Sequence, residues 1–229
     1  MSQSDENAPG TRVEFKVPEE FHEFPLHLPP DLTDRYVEEL AGEIWVNGTD
    51  FQRETTAACY RELVDGLSAD GVLHASLGLF STEEDRLSIA NLIVRIEELR
   101  PAPPEVAAAG LHEALSLSPH RDVHRVDLPC GPAVVSFHAL EVGAGEAGPG
   151  IPFVQIELYV PSNDGEFLVV FALSTPSIAE LPVYVDLMSQ IGETVAFVRD
   201  RGEPAGRNDG RGPLAPRSSV EADVRSVFG

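Results

Sequence analysis

The spacing of apolar positions along the chain predicts an alternating series of helices and strands. Apolar residues that recur at every second position indicate a strand, and those that recur at every third or fourth position indicate a helix. Period-two segments predict strands at 12–17, 24–28, 72–80, 87–99, 123–128, 133–142, 153–160 and 166–174. Helical spacing predicts helices that begin at 31 or 33, 49 or 50, 103 and 182 and end near 46, 68, 117 and 199.

Each predicted helix has an apolar stripe that marks the side expected to face a sheet. The clearest stripe lies on the last helix, at Tyr184, Leu187, Met188, Ile191, Val195 and Val198. The second helix places Cys59, Leu63 and Leu67 at i, i+4 and i+8, and the third turns Val106, Leu111 and Leu115 inward. Ser162-Asn-Asp-Gly165 between two strands is a strong hairpin signal.

These elements indicate an α+β fold with an antiparallel β-sheet of about six strands flanked by helices. The length of 229 residues fits one domain, which we place at residues 12–198. Residues 1–11 are polar, and residues 199–229 are rich in Gly, Pro, Arg and Asp. We therefore expect a disordered lead and a disordered C-terminal tail.

Charge changes this picture by excluding classes of partner. The chain has 38 acidic and 16 basic residues, a net charge of −22, and two cysteines. Residues 1–198 hold 33 acidic and 10 basic side chains, so the predicted domain carries the negative charge. Such a surface disfavours nucleic acid and anionic lipid, whose binding depends on Lys and Arg. A solubilising role and an acidic binding face are both consistent with it.

The segment that begins the sequence is polar and acidic, without a basic region followed by an apolar run, so no export signal is expected. No apolar run approaches the roughly 18 residues that a membrane span requires. The sequence therefore predicts a cytoplasmic protein with Cys59 and Cys130 reduced.

The last third of the chain resembles a known family. A strand ending Val-Val-Phe-Ala-Leu-Ser174-Thr175-Pro176 is followed by a helical stripe with Tyr184 and Met188 that ends Ala-Phe-Val198. This pattern resembles the Mog1/PsbP-like superfamily, and within it the actinobacterial LpqN/LpqT-like branch. The early Phe24-Pro25 segment agrees, so the resemblance covers roughly residues 12–198 and is most specific over about residues 153–198.

The resemblance implies a Mog1/PsbP-like α/β/α sandwich and a role as a small accessory or binding protein. Lipoproteins of that branch carry an export signal and a lipidated cysteine, which this sequence lacks. It also has two predicted N-terminal helices where the branch suggests about one.

No segment carries a recognised catalytic pattern. His112, His120, His124 and His138 fall near one strand, but no Cys or Glu joins them at a metal-ligand spacing, and exposed histidines are the favoured interpretation. Cys130 lies in a Pro-Cys-Gly-Pro turn, which we interpret as structural. Cys59 is expected to be a small core residue. We expect no enzyme activity, no cofactor and no metal.

Six residues are candidates for partner binding. Trp45 is either a partner anchor or a half-buried core residue. Glu38, Glu39 and Glu43 share the first helix with Asp31 and Asp34, and their clustering on one side would favour a basic partner. Val224 and Phe228 belong to a short linear motif or to a frayed end.

Three functions compete at this point. The first is a non-catalytic accessory domain that binds a partner protein, with a basic protein as the first candidate. The second is an acidic inhibitor or immunity protein against a basic partner such as a nuclease toxin. The third is a small hydrolase, which a pocket joining Cys130, His124 and His138 would favour. The oligomeric state stays open.

Overall fold

A computed structural model describes residues 11–82, 86–143 and 150–199 of the chain. The four helices are α1 (Pro30–Ile44), α2 (Asp50–Ala69), α3 (Pro104–Ser116) and α4 (Leu181–Thr194). The strands are β1 (Thr11–Glu14), β2 (Phe21–Glu23), β3 (His74–Ser81), β4 (Leu87–Glu98), β5 (Arg121–Leu128), β6 (Gly131–Val142), β7 (Ile151–Pro161), β8 (Phe167–Thr175) and β9 (Ala196–Arg199). Predictions for residues 1–10 and 200–229 lie outside the described residues.

Seven strands form one antiparallel sheet in the order β2-β3-β4-β8-β7-β6-β5, and β1 pairs with β9 in a separate ribbon. The predicted α+β class with a sheet flanked by helices is confirmed. The sheet has seven strands rather than about six. The middle strands β4, β8 and β7 are buried on both faces over part of their length. Successive residues of each strand point to opposite faces and therefore enter different cores.

The two faces of the sheet are covered differently. One face, here called the α4 face, packs against α4 and the β1–β9 ribbon around Leu92, Phe171, Leu173, Tyr184 and Ile191. The other face, here called the α3 face, packs against α1 and α2 near β3 and against α3 near β6. This arrangement leaves parts of both faces without a helix.

The last helix ends earlier than its apolar stripe predicts. Helix α4 stops at Thr194, and Val195 takes an extended conformation that leads into β9. Phe197 then packs edge-on against Phe167, with ring centroids 5.8 Å apart. Pairing with β1, which is more than 180 residues away in sequence, overrides the helical pattern. The predicted inward position of Val198 is therefore wrong, because its side chain is 37% exposed.

The strand predicted at 24–28 is also displaced. The paired strand is β2, and only Phe24 continues it by donating its backbone N–H to the Ala75 carbonyl. Pro25 has no N–H for a sheet hydrogen bond, so the chain turns there. Helix α1 begins at Pro30 without a side-chain cap, so neither predicted start, Asp31 or Thr33, caps it. Thr49, one of the two predicted starts of α2, caps that helix in a reciprocal pair with Gln52.

Two of the predicted apolar stripes contain residues that are exposed in the structure. On α2 the buried residues are Ala57 and Val64, while Cys59 is exposed, so the prediction of a core Cys59 is wrong. On α3 the buried residue is Ala108, and Val106 is exposed. In both helices a small residue allows close approach to the neighbouring elements, and the larger side chains flank the contact.

The β7–β8 hairpin depends on a glycine with a left-handed backbone. Gly165 has φ of 70°, and a Cβ added there would lie 1.8 Å from the Ala102 carbonyl oxygen. Gly71 has φ of 68°, but the space around it is open. Alanine substitutions at the two glycines therefore distinguish the cost of backbone strain from the cost of a steric clash.

We expect Gly71→Ala to lower the free energy of unfolding by about 1 kcal/mol through backbone strain alone. Gly165→Ala adds a clash with a fixed carbonyl and should cost more than about 2 kcal/mol. Urea denaturation followed by far-UV circular dichroism measures both changes. Equal losses in the two variants would contradict the close packing of the hairpin against Ala102.

Candidate functional site

An open apolar groove lies on the α3 face of the sheet, beside α2. It encloses about 790 Å³ and is here called the α2 groove. Its lining residues are His22, Phe24, Glu43, Ile44, Trp45, Thr56, Tyr60, Leu63, Leu77, Leu79, Leu87, Ile89, Asn91, Phe153 and Pro176. The groove is large enough for several side chains of a bound peptide or for one small ligand.

The local sequence explains why these residues share one groove. Thr56, Tyr60 and Leu63 lie at i, i+4 and i+7, which places them on one side of α2. Within each strand, the lining residues are two positions apart and so face the same side of the sheet. They are Leu77 and Leu79 on β3 and Leu87, Ile89 and Asn91 on β4. Helix α2 forms one wall, and the exposed surface of the sheet forms the floor.

Trp45, for which the sequence left a partner anchor and a half-buried core residue open, lies in the wall of this groove. Its ring is held by a hydrogen bond from Nε1 to Thr56 Oγ1 at 2.8 Å, and its side chain is 37% exposed. Arg53 of α2 donates to the backbone carbonyls of Trp45 and Val46, which fixes the end of α1 against α2. Trp45 is thus positioned before any partner binds, and it is available for contact.

The structure separates the other predicted binding residues. Glu43 lines the α2 groove, and its carboxylate lies 3.8 Å from His22 Nδ1. Glu38 lies 3.9 Å from Arg61, which also pairs with Asp34, while Glu39 is exposed on the same helix. Val224 and Phe228 lie outside the described residues.

A row of polar side chains crosses the sheet next to the groove. Strand register aligns Asn91, Ser174, Gln155, His138 and Arg121 on five adjacent strands of the α3 face. Asn91 belongs to both the row and the α2 groove, so the apolar floor continues into a polar one. None of the five residues is fully buried.

A buried carboxylate lies directly beside this row. Glu157 is 4% exposed and accepts hydrogen bonds from Arg121 Nη1, from the Tyr159 hydroxyl at 2.7 Å and from Gln155 Nε2 at 2.9 Å. Arg121 Nη1 also donates to Ser136 Oγ at 3.1 Å. We call Arg121, Ser136, His138, Glu157 and Tyr159 the Glu157 cluster.

The Glu157 cluster is neutral overall, and its internal contacts hold each group in one protonation state. Burial opposes ionisation of Glu157, but the Tyr159 and Arg121 hydrogen bonds outweigh burial and lower its pKa. Burial and the adjacent carboxylate raise the pKa of Tyr159 to about 12. Burial and Arg121 lower the pKa of His138, so the imidazole is neutral at pH 7. Its Nδ1 is buried without a hydrogen-bond partner among the described residues.

The residues that would have favoured a hydrolase lie apart. His124 is on the α4 face, where its ring contacts Phe137, whereas His138 is on the α3 face. Cys130 packs against the α4-face core just before β6, eight residues from His138, which corresponds to roughly 26 Å of extended strand. Burial raises the pKa of the Cys130 thiol, which disfavours a nucleophilic thiolate.

Among residues 11–82, 86–143 and 150–199, no group of three His, Cys, Asp or Glu is placed to hold a metal ion.

A second groove of about 760 Å³ lies on the opposite face, between α4 and the β5 side of the sheet. We call it the α4 groove, and its lining residues are Val126, Asp127, Leu128, Pro129, Val135, Phe137, Ile156, Leu158, Val185, Met188, Ser189 and Glu193.

Within the part of the chain that the structure describes, no helix is long and apolar enough to cross a membrane.

Sequence reasoning missed the Glu157 cluster and both grooves. Arg121 and Glu157 are 36 residues apart and meet only through the register of three strands. One signal was present, since Gln155, Glu157 and Tyr159 place three polar groups on one side of an otherwise apolar strand.

Comparison with known proteins gives a distant likeness of fold. No protein-family model and no curated protein matches the chain. A crystal structure of LpqN from Mycobacterium tuberculosis, described as involved in cell envelope biogenesis, matches with a TM-score of 0.42 and 9% sequence identity. The match covers 84% of this chain and 87% of LpqN. A likeness at this TM-score and identity establishes neither a shared family nor a shared function.

We expect Glu157→Gln to lower the free energy of unfolding by about 2–3 kcal/mol at pH 7, because it leaves Arg121 without its anionic partner. Glu97→Gln is the matched control. Glu97 pairs with Arg95 at 2.9 Å with both side chains about half exposed, so its loss should cost less than about 0.5 kcal/mol. Urea denaturation compares the two. Equal costs would show that the buried contacts contribute little.

The lowered pKa of His138 predicts a pH dependence of stability. The unfolded chain binds the His138 proton more readily than the folded chain, so this contribution is complete above the unfolded pKa and is lost as pH falls below it. His138→Gln should flatten the decline in melting temperature between about pH 7 and pH 5. His120→Gln, at an exposed histidine outside the cluster, should keep the wild-type slope. Parallel slopes in all three proteins would refute the assignment.

Proposed function

We propose that this protein is a non-catalytic interaction domain whose α2 groove binds an apolar segment of a basic partner protein. The observation that carries the proposal is an apolar groove flanked by an acidic helix. The groove supplies contact area, and the charge supplies attraction and orientation.

Large apolar side chains in the groove are open to solvent. Trp45 is 37% exposed, Leu63 43% and Leu87 63%. Isolated exposed apolar residues are ordinary, but a contiguous group beside a preformed groove is typical of a binding surface. Tyr60 is fixed beneath them by an edge-on contact with Phe24 at 5.3 Å. The groove therefore needs little rearrangement before it accepts a side chain.

Charge next to the groove favours a cationic partner. Glu43 lies in the wall, and Glu39 is exposed on the preceding turn of α1. The net charge of −22 adds a long-range attraction for basic proteins and repels nucleic acid. A partner segment with an apolar residue next to Lys or Arg would match both features.

The Glu157 cluster supports a non-catalytic role. Its carboxylate, guanidinium and phenol are hydrogen-bonded to one another. Because the pKa of Glu157 is lowered and that of Tyr159 is raised, Glu157 is ionised and Tyr159 is protonated at pH 7. A general acid or base acts best with a pKa near the working pH, and neither group meets that requirement.

Two finer assignments accompany this proposal. The compartment is the cytoplasm, which suits an exposed and unpaired Cys59. The family is the LpqN/LpqT-like branch of the Mog1/PsbP-like superfamily, with support from the residue pattern at 153–198.

A displayed peptide library tests the proposal directly, because it samples many candidate partner segments at once. Selection on the immobilised full chain should enrich peptides with an aromatic or aliphatic residue beside Lys or Arg. Calorimetry then compares Leu63→Asp with Phe51→Asp, since both residues are exposed on α2 but only Leu63 lines the groove. We expect Leu63→Asp to weaken binding about tenfold or more and Phe51→Asp less than about twofold.

Salt dependence separates the two parts of the proposal. Binding should weaken as sodium chloride rises from about 50 to 300 mM, because screening removes the long-range attraction. Enrichment of acidic peptides would refute the basic partner. Equal binding by the Leu63 and Phe51 variants would refute the groove.

A further inference from the structure

The seven-stranded sheet has an open edge at β5. Its two edge strands are β2 and β5, and they differ in length. Strand β2 has three residues and is closely followed by Pro25, and a short strand next to a proline is a common way of protecting an edge. Strand β5 has eight residues and contains no proline. Among the described residues no strand pairs with its outer side, so a further strand would fit there.

Alternate backbone groups of β5 point away from its neighbour β6. In an antiparallel pair, residues two positions apart direct their N–H and C=O groups to the same side. The N–H of Arg121 donates to the Ser118 carbonyl at 3.2 Å rather than across to β6, so Arg121 belongs to the outward set. Pro132 of β6, which lies opposite Asp127, has no N–H to donate, in agreement with this assignment. The rest of the outward set is Val123, Arg125 and Asp127.

The charged side chains of the outward set make β5 complementary to a second copy of itself. Arg125 and Asp127 are exposed, and neither forms an ion pair with a described residue. Two antiparallel β5 strands with Val126 at the two-fold axis place Arg125 of each copy opposite Asp127 of the other. The registers two residues away on either side place Arg125 or Asp127 opposite itself, which is repulsive. Charge therefore favours the register centred on Val126 over both neighbours.

The position of helix α3 allows the two β5 edges to meet. Ala108 of α3 packs in one cluster with Val123 of β5 and Val134 of β6, so the helix lies over the β5–β6 pair. Joining two β5 edges puts the two α3 helices two strand spacings apart, which is roughly 10 Å. Helices pack against each other at about 8–10 Å. Val106 and Leu117 of α3 are 59% and 83% exposed, so each helix also offers apolar side chains that a neighbouring helix can cover.

We propose that this protein forms a symmetric dimer by antiparallel pairing of two β5 strands, which joins two seven-stranded sheets into one. Val126 lies at the two-fold axis, and Arg125 of each copy faces Asp127 of the other. Each hydrogen bond and each ion pair of the interface occurs twice, because the interface is self-complementary. The α2 groove lies near β3 and β4, away from β5, so the inference does not depend on the proposed function.

Sedimentation velocity on the full chain tests the dimer, between about 5 and 500 μM protein in about 150 mM sodium chloride, which screens repulsion between the acidic domains. The wild-type chain should change from monomer to dimer as its concentration rises. Arg125→Asp and Asp127→Arg each place like charges opposite each other, and each should raise the dissociation constant about tenfold or more. The charge swap, Arg125→Asp with Asp127→Arg, restores opposite charges and should recover the wild-type constant within about threefold.

A second pair of variants tests the backbone pairing. Arg125→Ala keeps the outward N–H and Arg125→Pro removes it, so the proline variant should dimerise at least about fivefold more weakly than the alanine variant. Circular dichroism melting checks that both variants stay folded, and the charge swap remains decisive if the proline variant does not.

Three results would overturn the inference. The first is a wild-type chain that stays monomeric at the highest concentration. The second is a dimer that neither single charge reversal weakens, which would place the interface elsewhere. The third is a charge swap that fails to restore the association lost in the single variants.

Discussion

The structure depends on burying both faces of the central strands β4, β8 and β7. Their alternate residues enter separate cores, with Phe171 and Leu173 on the α4 face and Leu168 and Val170 on the α3 face. A sheet of seven strands presents more area than four helices cover. Helix α4 is therefore placed over the centre of one face, and the other three helices cover the two ends of the opposite face. The α2 groove and the α4 groove are consequences of this incomplete cover.

Charge is distributed according to the same layers. The ion pair of half-buried Arg121 and buried Glu157 lies on the sheet where side chains of three strands converge, and the two groups are hydrogen-bonded to each other. Other acidic residues are solvated, such as Glu39 and Glu43, which are exposed on α1. A buried pair fixes the geometry of the site, whereas a solvated acidic surface acts at a distance.

Local patterns predicted the elements that local forces determine. The β7–β8 hairpin follows from Ser162-Asn-Asp-Gly165, and the start of α2 falls at Thr49, one of its two predicted starts. Elements that depend on distant pairing were missed, as β9 shows, because its partner β1 lies at the other end of the described chain. Trp45 and Glu43 line one groove, but most of its other lining residues come from α2, β3 and β4, and partner binding by any of them stays a prediction. Strand register brings such residues together, and register is not written in any one segment.

The central claim is that the α2 groove binds a partner segment, and Trp45 offers the most direct test because it is the single tryptophan of the chain. Its ring lies in the groove wall and is partly exposed. A peptide with an apolar residue beside Lys or Arg should shift the Trp45 emission to shorter wavelength as the ring loses water, with a midpoint equal to the calorimetric Kd. Calorimetric binding with unchanged Trp45 emission would place the partner elsewhere and contradict the account.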